Sequence, residues 1–412
     1  IARWNEFYKL GGEVGRPPEV MNSLYARELM SDDEESKARP SMLPTDYLLN
    51  IIKVPRLEGY TYRPDEPNAF VKEGNGRYAN TYRKPDYELD EKHAAEAGEA
   101  LTEHMRLLIA EEEYCDIFMD WMAYHIQHPG KKIMWAVLLQ SAHGAGKSLL
   151  NGVMQTLLGH ENASVLEATT LVESPFSSWA NGNQLLCVEE LYPTNHGRNE
   201  AAERLKSYIT GDRVEVHQKG KEPFLIRNVT NYLLLTNHVD AVRLSPSERR
   251  YFVLHSRLQS REQVAEIPMS YYEGFISKVI HRPGALAVWL KRRDLSNFKP
   301  NSVVRTKYFH ETCEAARSSL DVAMDVCMSN PTRFVSKDCI SINHLRSRLS
   351  EEGVTKAQLS GIMAVLRQQG YRSRGQVRYD SERLTVWAKP TNRTSVVDLL
   401  KNSDINELEE IA

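Results

Sequence analysis

Trp135 to Gly159, WAVLLQSAHGAGKSLLNGVMQTLLG, is the stretch that decides how this 412-residue chain folds. Trp135-Ala136-Val137-Leu138-Leu139 is an apolar run with the length of a buried strand. It stops at a turn of small residues ending in Gly144-Ala145-Gly146-Lys147-Ser148. Beyond the turn, Leu149, Leu150, Val153, Met154, Leu157 and Leu158 recur at helical spacing. Strand, glycine turn and helix, in that order, form the context in which a phosphate-binding loop works. Glycines let successive backbone N–H groups converge on a polyphosphate, and the helix N-terminus adds partial positive charge. On this reading Ser141, Ala142, His143, Gly144, Ala145, Gly146, Lys147, Ser148 and Leu149 cradle a nucleotide. Lys147 reaches the β- and γ-phosphates, and the Ser148 hydroxyl ligates Mg²⁺. The pattern GxxxxGK[ST] wants its first glycine where this chain has Ser141, a small residue that fits the position. The competing reading is a glycine turn that merely caps a helix; the strand before it and the helix after it favour the nucleotide.

Composition is that of a soluble globular protein of two or three domains, 41% hydrophobic and 26% charged, with a net charge of −3. Such a total leaves room for a local basic surface, so charge has to be read by region. Five cysteines with no CxxC pair fit a reducing compartment better than a disulfide framework. No stretch reaches the roughly 18 apolar residues of a membrane helix, so no membrane partner is expected. The chain begins at Ile1, which raises the expectation of an excerpt from a longer polypeptide.

Ahead of the loop, residues 1 to about 55 read as helices broken by Pro17-Pro18 and by the acidic run Ser31 to Glu35. Gly59 to Pro85, rich in tyrosine, glycine, proline and arginine, reads as short strands and turns. Its interleaved Arg77, Tyr78, Tyr82, Arg83 and Lys84 suit either a small packed sheet, the favoured reading, or a nucleic-acid strand. Residues 91 to 128 are helical, with Leu101, Met105, Leu108, Phe118, Trp121 and Met122 on one face, a packing collar for the nucleotide domain.

Behind the loop, Gln184 to Glu190 is an apolar strand ending in two acids, 43 positions after Lys147. At the C-terminal edge of a parallel sheet, Glu189 would hold Mg²⁺ and Glu190 would orient and deprotonate the attacking water. Asn231 to His238 is a further buried strand with Asn237 at its tip, an amide able to bond both a γ-phosphate and that water. Before the next strand, Tyr251 to Leu254, stand Arg249 and Arg250, either of which can serve as a finger on a neighbouring subunit's phosphate. Between the acids and Asn237, Val214-Glu215-Val216 and Phe224-Leu225-Ile226 read as a hairpin whose tip carries His217, Lys219 and Lys221. Such a tip grips phosphates without regard to sequence, or simply aids solubility.

Taken together, SAHGAGKS, LLCVEE, the basic hairpin and LLLTNH resemble the motifs of superfamily 3 helicases, and more closely the helicase portion of phage and plasmid primase-helicase or primase-polymerase proteins. The resemblance covers residues 60 to 256. It implies an AAA+ type P-loop NTPase core of α/β class, with ATP and Mg²⁺ bound between subunits of a homo-oligomeric ring, a hexamer. It also implies single-stranded DNA as the substrate and an upstream primase or polymerase domain in the same polypeptide, with a phage protein in the cytoplasm of its host as the expected setting. By position, Lys147 and Ser148 take the phosphate and magnesium roles, Glu189 and Glu190 the acidic pair, Asn237 the sensor, His217, Lys219 and Lys221 the DNA hairpin, and Arg249 or Arg250 the finger.

The expected domains are a mixed, largely helical collar domain (1–128), the core (129–300), a winged-helix-like domain (306–390) and an acidic tail (391–412). The third is expected as a long helix from Thr306 to Met328, a strand near Phe334, helices Ile342–Leu349 and Lys356–Gln369, and strands around Val377 and Val386. Residues 333–389 hold 11 Lys or Arg against 5 Asp or Glu, which suits a nucleic-acid surface; protein packing is the equal alternative. Lys356, Gln358, Ser360, Arg372, Arg374 and Arg378 are its candidate phosphate contacts. The expected function is an ATP-dependent helicase or translocase in replication. Its alternatives are an AAA+ remodeller or initiator, a nucleic-acid-binding ring with little hydrolysis and, most distantly, a small-molecule kinase.

Overall fold

The computed structural model describes residues 2–3, 6–7, 22, 43–53, 57–191, 197–220, 222–355 and 358–404. They fall into two compact units, Ile1–Cys313 and Glu314–Ala412.

In the first unit, β1 (Ala2–Arg3) pairs with β2 (Glu6–Phe7), and α1 (Pro44–Asn50) opens on a proline, whose fixed φ suits a first helical turn. The tyrosine-rich stretch forms a three-stranded sheet in the order β3-β5-β4 from β3 (Gly59–Thr61), β4 (Phe70–Glu73) and β5 (Gly76–Asn80). Next, α2 (Ala94–Leu108) and α3 (Glu112–Gln127) bury the apolar face that the sequence marks, Leu101, Met105, Leu108, Phe118, Trp121 and Met122.

Five strands build the central sheet: β6 (Ala136–Gln140), β7 (Ala163–Glu167), β8 (Leu185–Glu189), β11 (Asn231–Thr236) and β12 (Tyr251–His255). All pairings are parallel, in the order β12-β6-β11-β8-β7. Strands β6, β8, β11 and β12 lack polar alternation because both faces are covered, whereas the edge strand β7 leaves Val165 and Glu167 exposed. Val137, Leu139, Leu233 and Leu235 pack with α2, α3 and α4 (Lys147–Leu158), whereas Ala136, Leu138, Tyr232 and Leu234 pack on the other side with Leu205 and Ile209. Those two residues lie on α6 (Gly197–Thr210), which comes after the short α5 (Ala168–Glu173). The hairpin of β9 (Arg213–Val216) and β10 (Phe224–Arg227) stands apart from the sheet as a ladder of its own. After β12 come α7 (Arg261–Ala265), α8 (Met269–Phe275) with a π-turn at Ile276–Ile280, and α9 (Pro283–Lys291). Helix α9 lies close on α2: a Cβ at Gly98 would come within 2.2 Å of the Trp289 indole. Among the described residues no helix is long and apolar enough to cross a membrane.

Two expectations for the C-terminal part need correction. The helix from Thr306 to Met328 is two, α10 (Tyr308–Ala315) and α11 (Ser319–Ser329). The break is a capping box. Ser318 Oγ accepts from the Asp321 N–H at 3.2 Å while the Asp321 carboxylate accepts from the Ser318 N–H at 2.8 Å, which starts a new helix. Phe334 is also not in a strand: its φ of 59° puts it in a left-handed turn, and the strand there is β13 (Ile340–Ser341). Beyond it lie α12 (Ile342–Glu351), α13 (Leu359–Gln368), β14 (Arg372–Tyr379), β15 (Glu382–Ala388) and α14 (Val396–Ser403). The second unit's sheet is antiparallel, ordered β13-β15-β14. Lys356 and the tail beyond residue 404 lie outside the described residues.

Candidate nucleotide-binding site

Because β6 lies between β12 and β11, and β11 between β6 and β8, the turn after β6 emerges beside the ends of the other two chemistry-bearing strands. Ser141 continues the sheet, its N–H donating to Thr236 O at 3.1 Å, and Ala142 N–H donates to Leu258 O at 2.8 Å. Ser141 is fully buried with its hydroxyl on Ala142 O, so the departure from glycine is accommodated at that position. Gly144 and Gly146 have φ of 78° and 89°, which only glycine adopts freely. The amides of His143 to Ser148 donate to no backbone carbonyl among the described residues, so an unfilled row of N–H donors runs into the N-terminus of α4.

Lys147 is 7% exposed; its Nζ donates to Ala142 O at 3.3 Å and to Asn237 Oδ1. Burial lowers its pKa, opposed by the carboxylates of Glu190 and Glu189. Asn237 lies between two loop residues, since its Nδ2 also meets His143 Nδ1 at 3.2 Å. Glu189, ending β8, accepts from Asn151 Nδ2 at 3.3 Å, and Asn151 comes from the second turn of the loop helix. Glu190 is exposed with φ of 51°, an uncommon conformation for a side-chain-bearing residue and one found more often at functional sites. Ser148 is exposed in the first turn of α4, and Leu149 is half-buried behind it. The fold therefore brings together the loop, Lys147, Ser148, Glu189, Glu190 and Asn237.

Support from beneath the loop has no counterpart in the sequence reading. His104 on α2 is fully buried, its ring 4.3 Å from that of Phe275, with Nε2 3.2 Å from Gly146 O and Nδ1 3.2 Å from Tyr271 Oη. Burial holds its pKa down at about 4. A carbonyl only accepts, so the neutral ring carries its proton on Nε2 and accepts a hydrogen bond from the Tyr271 hydroxyl on Nδ1. Tyr272 Oη donates to Gly144 O at 3.4 Å. In a trans peptide the carbonyl of one residue and the N–H of the next point opposite ways. Holding the Gly144 and Gly146 carbonyls therefore turns the Ala145 and Lys147 amides away from α2 and α8. The one signal for His104 was a polar residue at position i+3 of the apolar face that Leu101 starts; nothing in the sequence ties Tyr271 or Tyr272 to the loop.

Other candidates lie elsewhere. The Arg250 carbonyl accepts from Ala136 N–H at 2.8 Å, which puts both arginines at the N-terminal edge of the sheet. The five-residue β6 separates them from the loop, roughly 17 Å of strand. Arg250 is committed within the fold, to buried Glu248 at 2.8 Å and to Thr210 at 3.4 Å, whereas Arg249 is exposed. On the hairpin, His217 packs its ring 5.2 Å from Phe176, its carbonyl accepts from the Ser177 N–H and its N–H donates to Ser177 Oγ, so it belongs to the base of the tip. Lys219 is exposed beside Gly220 (φ 76°), and Lys221 lies outside the described residues. At the foot of the hairpin, Arg227 is paired with Asp65 at 3.0 Å.

Residues 139–250 match a sequence family described as of unknown function (DUF5906). The DNA primase-polymerase of Nitratiruptor phage NrS-1 is 23% identical over 280 residues; the match takes in 66% of this chain and 37% of that protein, well under its full length. Two solved apo structures of the NrS-1 C-terminal region (305–718) superpose with TM-scores of 0.62 and 0.59 at 16% and 15% identity, each pair covering 91% of both chains.

Proposed function

We propose that this chain, a homologue of the C-terminal region of that phage primase-polymerase, is an ATP-driven helicase or translocase of superfamily 3 type acting on single-stranded DNA. The observation that carries the reading is the convergence of Lys147, Asn237, Glu189 and Glu190 on a glycine loop whose His143 to Ser148 amides have no backbone acceptor among the described residues. Lys147 neutralises phosphate charge, and Asn237, holding Lys147 and His143 at once, responds to whether a γ-phosphate is present. Glu190, exposed at a strand tip, takes the proton of the attacking water. The Ser148 hydroxyl and Glu189 carboxylate are hard oxygen donors of the kind Mg²⁺ prefers. Bound there, the ion would neutralise the phosphate oxygens.

The arginines at the far edge of the sheet fit a site completed by a second copy in a ring, with the exposed Arg249 as the finger. Lys219 on the hairpin, with Lys221, would contact the strand, while α2 and α3 serve as the collar of an AAA+ type core. The second unit, three helices followed by a β-ribbon, suits a winged helix. The test is ATP hydrolysis with and without single-stranded DNA for the parent, Glu190→Gln, and Lys219→Ala combined with Lys221→Ala. DNA-stimulated hydrolysis, abolished in the first variant and uncoupled from DNA in the second, is the expected result. DNA binding by the parent with no hydrolysis would replace the motor with a passive scaffold.

A further inference from the structure

The ribbon β14–β15 turns at Asp380-Ser381, with φ of 46° and 66°, as a two-residue loop matched to strand twist requires. Side chains alternate across a ribbon, so its two faces read separately. One face, with Val377, Tyr379, Leu384 and Val386, packs with Leu399 and Leu400 of α14. On the other, Trp387 joins the core of α11, α12 and α13. Farther toward the turn the register sets Gln376 opposite Thr385, bonded at 3.2 Å, and Arg378 opposite Arg383.

Both arginines are exposed, and neither has a carboxylate partner among the described residues. Like charges directly opposite on an antiparallel pair oppose its formation. The acids nearest in sequence do not relieve them: Asp380 pairs with Arg333, and Glu382, on the other face, lies 3.7 Å from His344. The neighbouring helix adds no charge of its own at its start, since α13 exposes Leu359, Ser360 and Ala364 before reaching Arg367, whose guanidinium lies 5.7 Å over Trp387. Positive charge is thus concentrated on the ribbon, in a facing pair whose repulsion an external anion would relieve.

We infer that the outward ribbon face, Gln376, Arg378, Arg383 and Thr385, binds the phosphate backbone of nucleic acid, independent of sequence. Guanidinium groups bind phosphate oxygens through paired N–H donors, and the amide and hydroxyl add neutral ones. This surface needs no nucleotide, so its failure and that of the motor reading are separable.

The test compares the full-length parent with Arg378→Glu and with Arg378→Glu plus Arg383→Glu. Mixed-sequence single-stranded and duplex oligonucleotides are titrated without nucleotide across a salt series, and thermal midpoints are recorded. The single variant sets a glutamate opposite Arg383, so its midpoint holds or rises, while oligonucleotide affinity falls roughly tenfold and the salt slope drops by about one or two. Stability and binding moving in opposite directions is a result that a purely structural role would not give. Arg378→Gln with Arg383→Gln, carrying no new charge, moves binding in the same direction. Unchanged binding in all three variants overturns the proposal. So does unchanged binding with an altered oligomeric size, which would assign the face to an acidic segment of another copy.

Discussion

A neutral imidazole beneath a glycine loop does work that no phosphate-contacting residue can do, because it fixes which way the Gly146–Lys147 peptide plane faces, as Tyr272 does for the plane after Gly144. His104→Ala removes the donor to Gly146 O and is expected to weaken ATP binding roughly tenfold, about the worth of one well-placed hydrogen bond. His104→Gln retains a donor and recovers most of the loss, which a titration with a fluorescent nucleotide alongside thermal melts would separate from simple destabilisation. The same burial gives a pH signature. His104 and His125 are both held at about 4 against an ordinary 6.5. Each is neutral in the folded chain but takes a proton in the unfolded chain below about 6.5. The stability they contribute is therefore complete above that pH and lost as pH falls toward about 4. In that window each adds a slope of about 1.4 kcal/mol per pH unit, and denaturant titrations of His104→Gln should lose one such increment. Lys147, Glu189, Glu190 and Asn237 were legible in the sequence because each ends an apolar run or opens the helix beyond one. His104 was legible only as an oddity on an apolar face, since its partner is a backbone carbonyl 42 residues away.

At the scale of elements, the parallel strands were the easiest to read, since burial on both faces makes continuous apolar runs of β6, β8, β11 and β12. Helix ends in the second unit were harder. Thr306 to Met328 has apolar spacing enough for one helix, and what divides it is a local contest that Ser318 and Asp321 win through their mutual hydrogen bonds. Ser318→Ala should therefore cost about 1 kcal/mol, read as a lowered midpoint in chemical denaturation. The hairpin was legible from its turn residues, but its anchorage was not. Arg227 pairs with Asp65, 162 residues away, and the carboxyl, despite partial burial, is held at about 2 by Arg63 and Arg227. A basic tip was evident from composition; a tip fastened at its foot to the small N-terminal sheet was not.

Across the first unit as a whole, the parallel sheet is a divider with unlike ends. Its C-terminal edge holds the glycine loop, both glutamates and the asparagine, while Arg249 and Arg250 stand at the N-terminal edge. No rearrangement of side chains spans that distance, so on the ring reading proposed above one copy would carry two halves of a reaction centre for a head-to-tail neighbour to join. Defects on opposite edges should then be complementary. Lys147→Ala and Arg249→Ala are each expected to be inactive alone in ATP hydrolysis. Mixed in equal amounts under assembling conditions, they would recover activity at about a quarter of the junctions, those pairing an intact loop with an intact arginine. Silence in the mixture, with assembly confirmed by light scattering, would mean that each copy works by itself. Recovery would mean that the catalytic unit of this protein is the seam between two chains.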